Sequence, residues 1–266
     1  MGAPLLIALD PPGEPARVAL ERAIVLGAAA RAPLHLLRVV PTALPTPIEQ
    51  FEAERELRRD LRDLLPASLG RERVKVSGGD VVREVCASVS RLRAGLVVLG
   101  DSPDAARRAA SIAVRARVSV LVARAAWPAG SVLGTTALVH RRYPVLRKAR
   151  QLATWLEAPL FVLHNLAPRA GAAHPSTEQA AAEEVFAITS CSAHLSSVAR
   201  DVAPGAAVVV GQHGDAVEAI LDGERRYASD VLVVGARVGH PPGQGPSIAE
   251  VVARQARASV LVTPME

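Results

Sequence analysis

Short apolar runs with hydrophobic residues on both parities alternate along the chain with longer stretches whose apolar positions recur every three or four residues. The runs LLIALD at 5–10, HLLRVVP at 35–41, LVVLG at 96–100 and SVLVAR at 119–124 predict strands buried on both faces, as a parallel sheet covered by helices requires. Between them, Ala16 to Ala30 places Val18, Ala19, Ala23, Leu26 and Ala30 at helical spacing, and Glu52 to Leu65 does so with Leu57, Leu61, Leu64 and Leu65. Asp80 stands as an N-cap before VVREVCASV, and Asp215 before AVEAILDGE.

The pattern repeats. ARVSVLVAR at 116–124 is answered by ARASVLVTP at 256–264, an offset of 140 residues. SGGDVVREV at 77–85 answers GQHGDAVEAI at 211–220, and LVVLG answers VLVVG at 231–235, an offset of 135 for the latter pair. APLHLLRVVP at 32–41 matches APLFVLHNLAP at 158–168, and LLIALD matches TTALVH at 135–140. One unit is therefore duplicated with changes of loop length. The expected domains are 1–124 and 132–266, joined by the linker AAWPAGS at 125–131, where Trp, Pro and Gly interrupt the pattern. Alternation of strand and helix in each half predicts a doubly wound α/β fold with right-handed crossovers.

Composition narrows the class without changing the fold. With half of its 266 residues apolar and 21% charged, the chain has material for an ordinary core. No stretch reaches the ~20 uncharged apolar residues of a spanning helix, and the N-terminus has neither the basic nor the apolar region of a signal peptide, so a soluble cytoplasmic protein with no membrane partner is expected. Cys86 and Cys191 belong to no CxxC pair and suggest neither a disulfide nor a thiolate metal site. The net charge of +5 comes almost wholly from Arg, with Lys only at 75 and 148, and three Phe, two Tyr and two Trp offer little to stack on bases. No nucleic-acid partner is expected.

In combination, the opening strand LLIALD ending in Asp, the second strands HLLRVVP and FVLHNLAP, the Gly-Asp segment before a helix, the strands LVVLG and VLVVG ending in Gly, and the closing SVLVAR and SVLVTP carry a resemblance. The chain resembles the universal stress protein family over essentially its whole length, as two tandem copies. The resemblance implies two Rossmann-like domains of the adenine nucleotide alpha hydrolase-like kind, each a five-stranded parallel sheet of order 3-2-1-4-5 flanked by helices. It also implies pairing of the last strands, which a tandem chain would make within itself as an internal pseudo-dimer.

Nucleotide-binding members of that family carry Gly-x2-Gly-x9-Gly-Ser/Thr after the fourth strand, leading into a helix. Gly lets backbone N–H groups crowd around phosphates, and the helix N-terminus adds a favourable dipole. An Asp ending the first strand contacts the adenosine, and a Val of the second strand lies near the base. The first copy has Asp10 and Val39 at those positions, but after Gly100 it reads DSPDAA, without Gly and with two Asp, so its site is degenerate. Its DSPD is expected to be a tight turn and N-cap before AARRAASIAVRAR. The second copy keeps Gly235, Gly239, Gly243, Gly245 and Ser247 before IAEVVARQA. Its loop is two residues shorter than the family pattern and holds Pro246, and His140 and Asn165 replace the Asp and the Val.

His140, His164, His213 and His240 fall at or just after the ends of the first four strands of the second copy, where a parallel sheet could collect them into a metal, pH-sensing or acidic-ligand site; the alternative is that each is solvated or separately hydrogen-bonded. Ser190-Cys191-Ser192-Ala193-His194 sits in a helical pattern whose close neighbours cannot face one another. No nucleophile and base come together elsewhere. The reading is a non-catalytic stress-response or regulatory protein with at most one residual adenine-nucleotide or anion site, for ATP or AMP, in the second domain. Two alternatives stand beside it: a weak ATPase using the second loop, and a ligand-free scaffold for a protein partner. Further homo-oligomerisation is left open.

Overall fold

Among the described residues, ten short apolar runs become strands, and between most of them lies a helix. In the computed structural model, residues 2–9, 13–40, 46–61, 73–125, 130–138, 142–166, 178–211, 214–237 and 245–265 are described. The first half runs β1 (Leu5–Ala8), α1 (Glu14–Ala30), β2 (Leu34–Val40), α2 (Pro47–Asp60), β3 (Val74–Gly78), α3 (Val81–Leu92), β4 (Leu96–Gly100), α4 (Ala105–Ala116) and β5 (Ser119–Ala123). The second runs β6 (Ser131–Thr135), α5 (Pro144–Leu156), β7 (Leu160–Asn165), α6 (Glu178–Val202), β8 (Ala207–Gly211), α7 (Ala216–Arg226), β9 (Ser229–Arg237), α8 (Ile248–Gln255) and β10 (Ser259–Met265). No described helix is long and apolar enough to cross a membrane.

The chain divides into two compact units, Met1–Trp127 with Ala236–Glu266, and Pro128–Gly235. The first unit holds strands in the order β3-β2-β1-β4-β5-β10. Its first five are parallel neighbours in the expected 3-2-1-4-5 order, and β10 lies antiparallel to β5 with Leu261 opposite Leu121. Strands β1, β4 and β5 are buried at every residue, which is why their sequences are apolar on both parities. Helix α1 packs on β1, β4 and β5, and α3 and α8 both pack on α4; right-handed crossovers would put α1 on one face and α3 and α4 on the other. At the outer edge, Gln50 donates to the Val76 carbonyl at 2.7 Å and Glu54 accepts from the Val76 N–H at 3.4 Å, so α2 satisfies backbone groups that an edge strand would otherwise leave open.

The second unit orders its parallel strands β9-β6-β7-β8. Helix α5 lies so close on β6 that a Cβ at Gly134 would stand 2.7 Å from the Ala149 Cβ. On the other side Phe161 of β7 stacks on Tyr227 with ring centroids 4.4 Å apart.

The N-caps expected at Asp80 and Asp215 are both formed: Asp80 accepts from Arg83 N–H at 2.9 Å, and Asp215 accepts from the N–H groups of Val217 and Glu218. The helix expected at 52–65 starts earlier, at Pro47, because Thr46 and Glu49 close a capping box in front of it. Those hydrogen bonds hold the Glu49 carboxyl below the ordinary carboxylate range. Leu64 and Leu65 lie outside the described residues.

One strand expectation is corrected. The opening strand of the second half is not TTALVH at 135–140 but SVLGT at 131–135. Two features end the extended backbone there: Leu138 takes a left-handed φ of 57°, and its N–H donates to Thr136 Oγ1 at 3.1 Å. Backbone bonds fix the equivalence of the two opening strands. Leu5 N–H donates to Pro33 O and Leu9 N–H to Leu37 O; correspondingly, Val132 N–H donates to Pro159 O and Thr136 N–H to Leu163 O. Ala137, rather than His140, is therefore the counterpart of Asp10.

Candidate functional site

In an open α/β sheet, ligands bind beyond the carboxyl ends of the strands, where the order reverses. In the first unit this point lies between β1 and β4. Val39, near the end of β2, is 3% exposed, and Asp10 lies outside the described residues. Gly100 ends β4, and its place there is fixed by packing: a Cβ would meet the Pro15 carbonyl carbon at 2.6 Å and the Pro15 Cβ at 2.9 Å. Glycine here lets the start of α1 close onto the strand.

Only four residues, 101–104, separate β4 from α4. The turn is closed by the Ala105 N–H donating to Ser102 O at 2.9 Å. Asp104 takes the N-cap position, but its side chain caps nothing and pairs instead with Arg107 and Arg108, at 3.2 and 3.8 Å. Asp101 is held by Arg124, whose Nε and Nη2 reach its two carboxylate oxygens at 3.1 Å each. The same guanidinium donates to the carbonyls of Ala258 at 2.9 Å and Ala253 at 2.6 Å, and the side chain is 11% exposed. Four of its five N–H groups are thus engaged. A phosphate entering this turn would face two carboxylates and find the nearest buried cation already committed.

The pairing follows from register. β4 and β5 are parallel with Gly100 beside Ala123, so the next residues, Asp101 and Arg124, emerge together. Sequence reasoning missed Arg124. The signal was an Asp directly after one strand and an Arg directly after its neighbour, which becomes legible only once the two strands are known to be adjacent and in step.

In the second half, Gly235 lies within β9 and Asn165 ends β7. Gly239 and Gly243 fall outside the described residues. Gly245 has φ 75°, in the left-handed region that favours glycine, with open space around the position of a Cβ. Ser247 is the N-cap of α8, its hydroxyl accepting from the Glu250 N–H at 3.2 Å, and Glu250 pairs with Arg254 at 2.8 Å. The connection from β9 to α8 holds ten residues, 238–247, against four in the first half.

His164 is bonded through Nδ1 to the Thr136 carbonyl at 2.7 Å; because a carbonyl only accepts, Nδ1 carries the proton. His140, His213 and His240 lie outside the described residues, and among those described no group of three His, Cys, Asp or Glu is placed to hold a metal. The Ser190–His194 stretch lies inside α6, where burial pushes the Cys191 thiol up, away from the thiolate a nucleophile needs. Burial likewise pushes up the Cys86 thiol.

An α/β chain with a repeated order of parallel strands, each fourth strand connected onward to a helix, is the class that fold and geometry define. No protein-family model and no curated relative matches the sequence. Solved structures do. The chain is similar to a functionally unknown protein of Pseudomonas aeruginosa PAO1, with 19% identity and a TM-score of 0.66 over 98% of this chain and 92% of that one. It is similar to a universal stress protein of Archaeoglobus fulgidus DSM 4304, with 15% identity and a TM-score of 0.63 over 99% of both chains. The fold of the universal stress proteins therefore extends over the whole of this chain.

Proposed function

We propose that the chain is a cytoplasmic, non-catalytic regulatory protein of the universal-stress type, built as two repeats, 1–124 and 132–266 joined by 125–131. One adenine-nucleotide or anion site remains, in the glycine-rich segment 235–247 before α8, and the first repeat serves structure. The observation that carries this reading is the Asp101–Arg124 pair, which fills the first strand-four connection with a carboxylate and its counter-ion. Gly245 at φ 75° and the N-terminus of α8, which begins behind the Ser247 cap, support the second connection as the anion-binding one. The antiparallel pairing of β5 with β10 supports the reading of the chain as an internal pseudo-dimer.

The test is thermal denaturation of the full chain against ATP, ADP, AMP and cyclic AMP, with and without Mg²⁺. A nucleotide that binds only the folded state at ~100 times its dissociation constant adds roughly 2.7 kcal/mol, a resolvable shift. The shift is expected with an adenine nucleotide and is expected to vanish in a Gly245→Val, Ser247→Ala chain. Stabilisation that survives those changes would place the nucleotide elsewhere, and no response at millimolar concentration would leave the scaffold reading in its place.

A further inference from the structure

The first unit has a cavity of about 340 Å³ at the end of the sheet opposite the nucleotide crevice, beside the amino ends of β2 and β3. Its position follows from register. Leu6 of β1 pairs with His35 of β2, and Leu37 of β2 with Lys75 of β3, so these four side chains share one sheet face. Ser88, Arg91 and Leu92, spaced by three and four on α3, line the opposite wall, and Arg73 stands just before β3. The floor is apolar and the rim basic.

We propose that this cavity is a binding site for a small organic dianion, a phosphate monoester or a dicarboxylate, carrying an apolar group that rests on Leu6 and Leu37. Among the described residues the lining holds three permanent cations, Arg73, Lys75 and Arg91, with His35 beside them, and one carboxylate, Glu54. Glu54 is turned to the backbone of β3, where it accepts from the Val76 N–H. Arg91 also faces the negative end of α3, which accounts for a cation in that last turn. Arg73 and Lys75 come from the strand side and line the same cavity as Arg91. The volume lies at the small end of the range of ligand pockets, about 300–1,000 Å³, and suits a single ring or short chain with one doubly charged head. Because this cavity lies at the amino ends of the strands, its ligand is independent of the glycine-rich segment.

Calorimetric titration of the full chain with phenyl phosphate, succinate and inorganic phosphate, at matched ionic strength, tests the site. Phenyl phosphate or succinate is expected to bind at about millimolar concentration or below, and inorganic phosphate, lacking the apolar group, at least about tenfold more weakly. Preference for phenyl phosphate or for succinate identifies the head group. A Lys75→Ala, Arg91→Ala chain should weaken binding by about tenfold or more. Arg91→Gln, a single change on the exposed side of α3, is expected to reduce affinity several-fold while keeping the fold, should the double variant not fold. Absence of binding by both organic dianions at about 10 mM would overturn the proposal, as would binding that Arg91→Gln and the double variant leave intact.

Discussion

The two connections that follow the fourth strand of each repeat differ in length and in charge. After β4 the chain turns in four residues into α4, with Asp101 locked to Arg124; after β9 it takes ten, ending at Gly245 and the cap of α8. The short connection has become part of the packing, since Arg124 also binds carbonyls at 253 and 258. The long one keeps the two features an anion can use, a left-handed glycine and a helix N-terminus.

The sharpest way to break this comparison is to remove the clamp. Arg124→Ala leaves Asp101 without its counter-ion and two carbonyls without their donor, and should lower unfolding free energy in urea by about 3 kcal/mol. Gly100→Ala should cost about 2 kcal/mol, because the new Cβ meets the Pro15 backbone rather than a movable side chain. Ser247→Ala, which removes only a helix cap in the long connection, should cost about 1 kcal/mol by the same measurement. Asp101→Asn should cost less than 1 kcal/mol, since the carboxylate is 47% exposed and the amide oxygen can still accept from Arg124. If Arg124→Ala were no more damaging than Ser247→Ala, the first connection would not be held as described.

Much of the fold was legible because its signals are local. Asp80 and Asp215 announce their helices through capping chemistry, and LVVLG reads as a doubly buried strand from its composition alone. The opening strand of the second half was not legible in the same way. Its true sequence, SVLGT, contains a glycine forced by the closeness of Ala149, whereas the competing TTALVH looks more strand-like until Leu138 turns left-handed. That displacement matters for the site, because it replaces His140 with Ala137 as the counterpart of Asp10. The start of α2 was hidden for another reason: proline-rich text reads as loop, yet Pro47 at the first helical position behind a Thr46–Glu49 box favours a helix. Arg124 was invisible because its importance depends on a partner 23 residues away, directly after the neighbouring strand. The basic cavity depends likewise on register between three strands and one helix turn.

The central claim is the asymmetry between the repeats, and calorimetric titration of ATP into the full chain measures it most directly when Gly245→Val and Lys75→Ala, Arg91→Ala chains are titrated alongside. The account predicts a single equivalent of nucleotide per chain, lost with Gly245→Val and kept when the basic cavity is neutralised. Two equivalents per chain, or binding indifferent to Gly245, would contradict it.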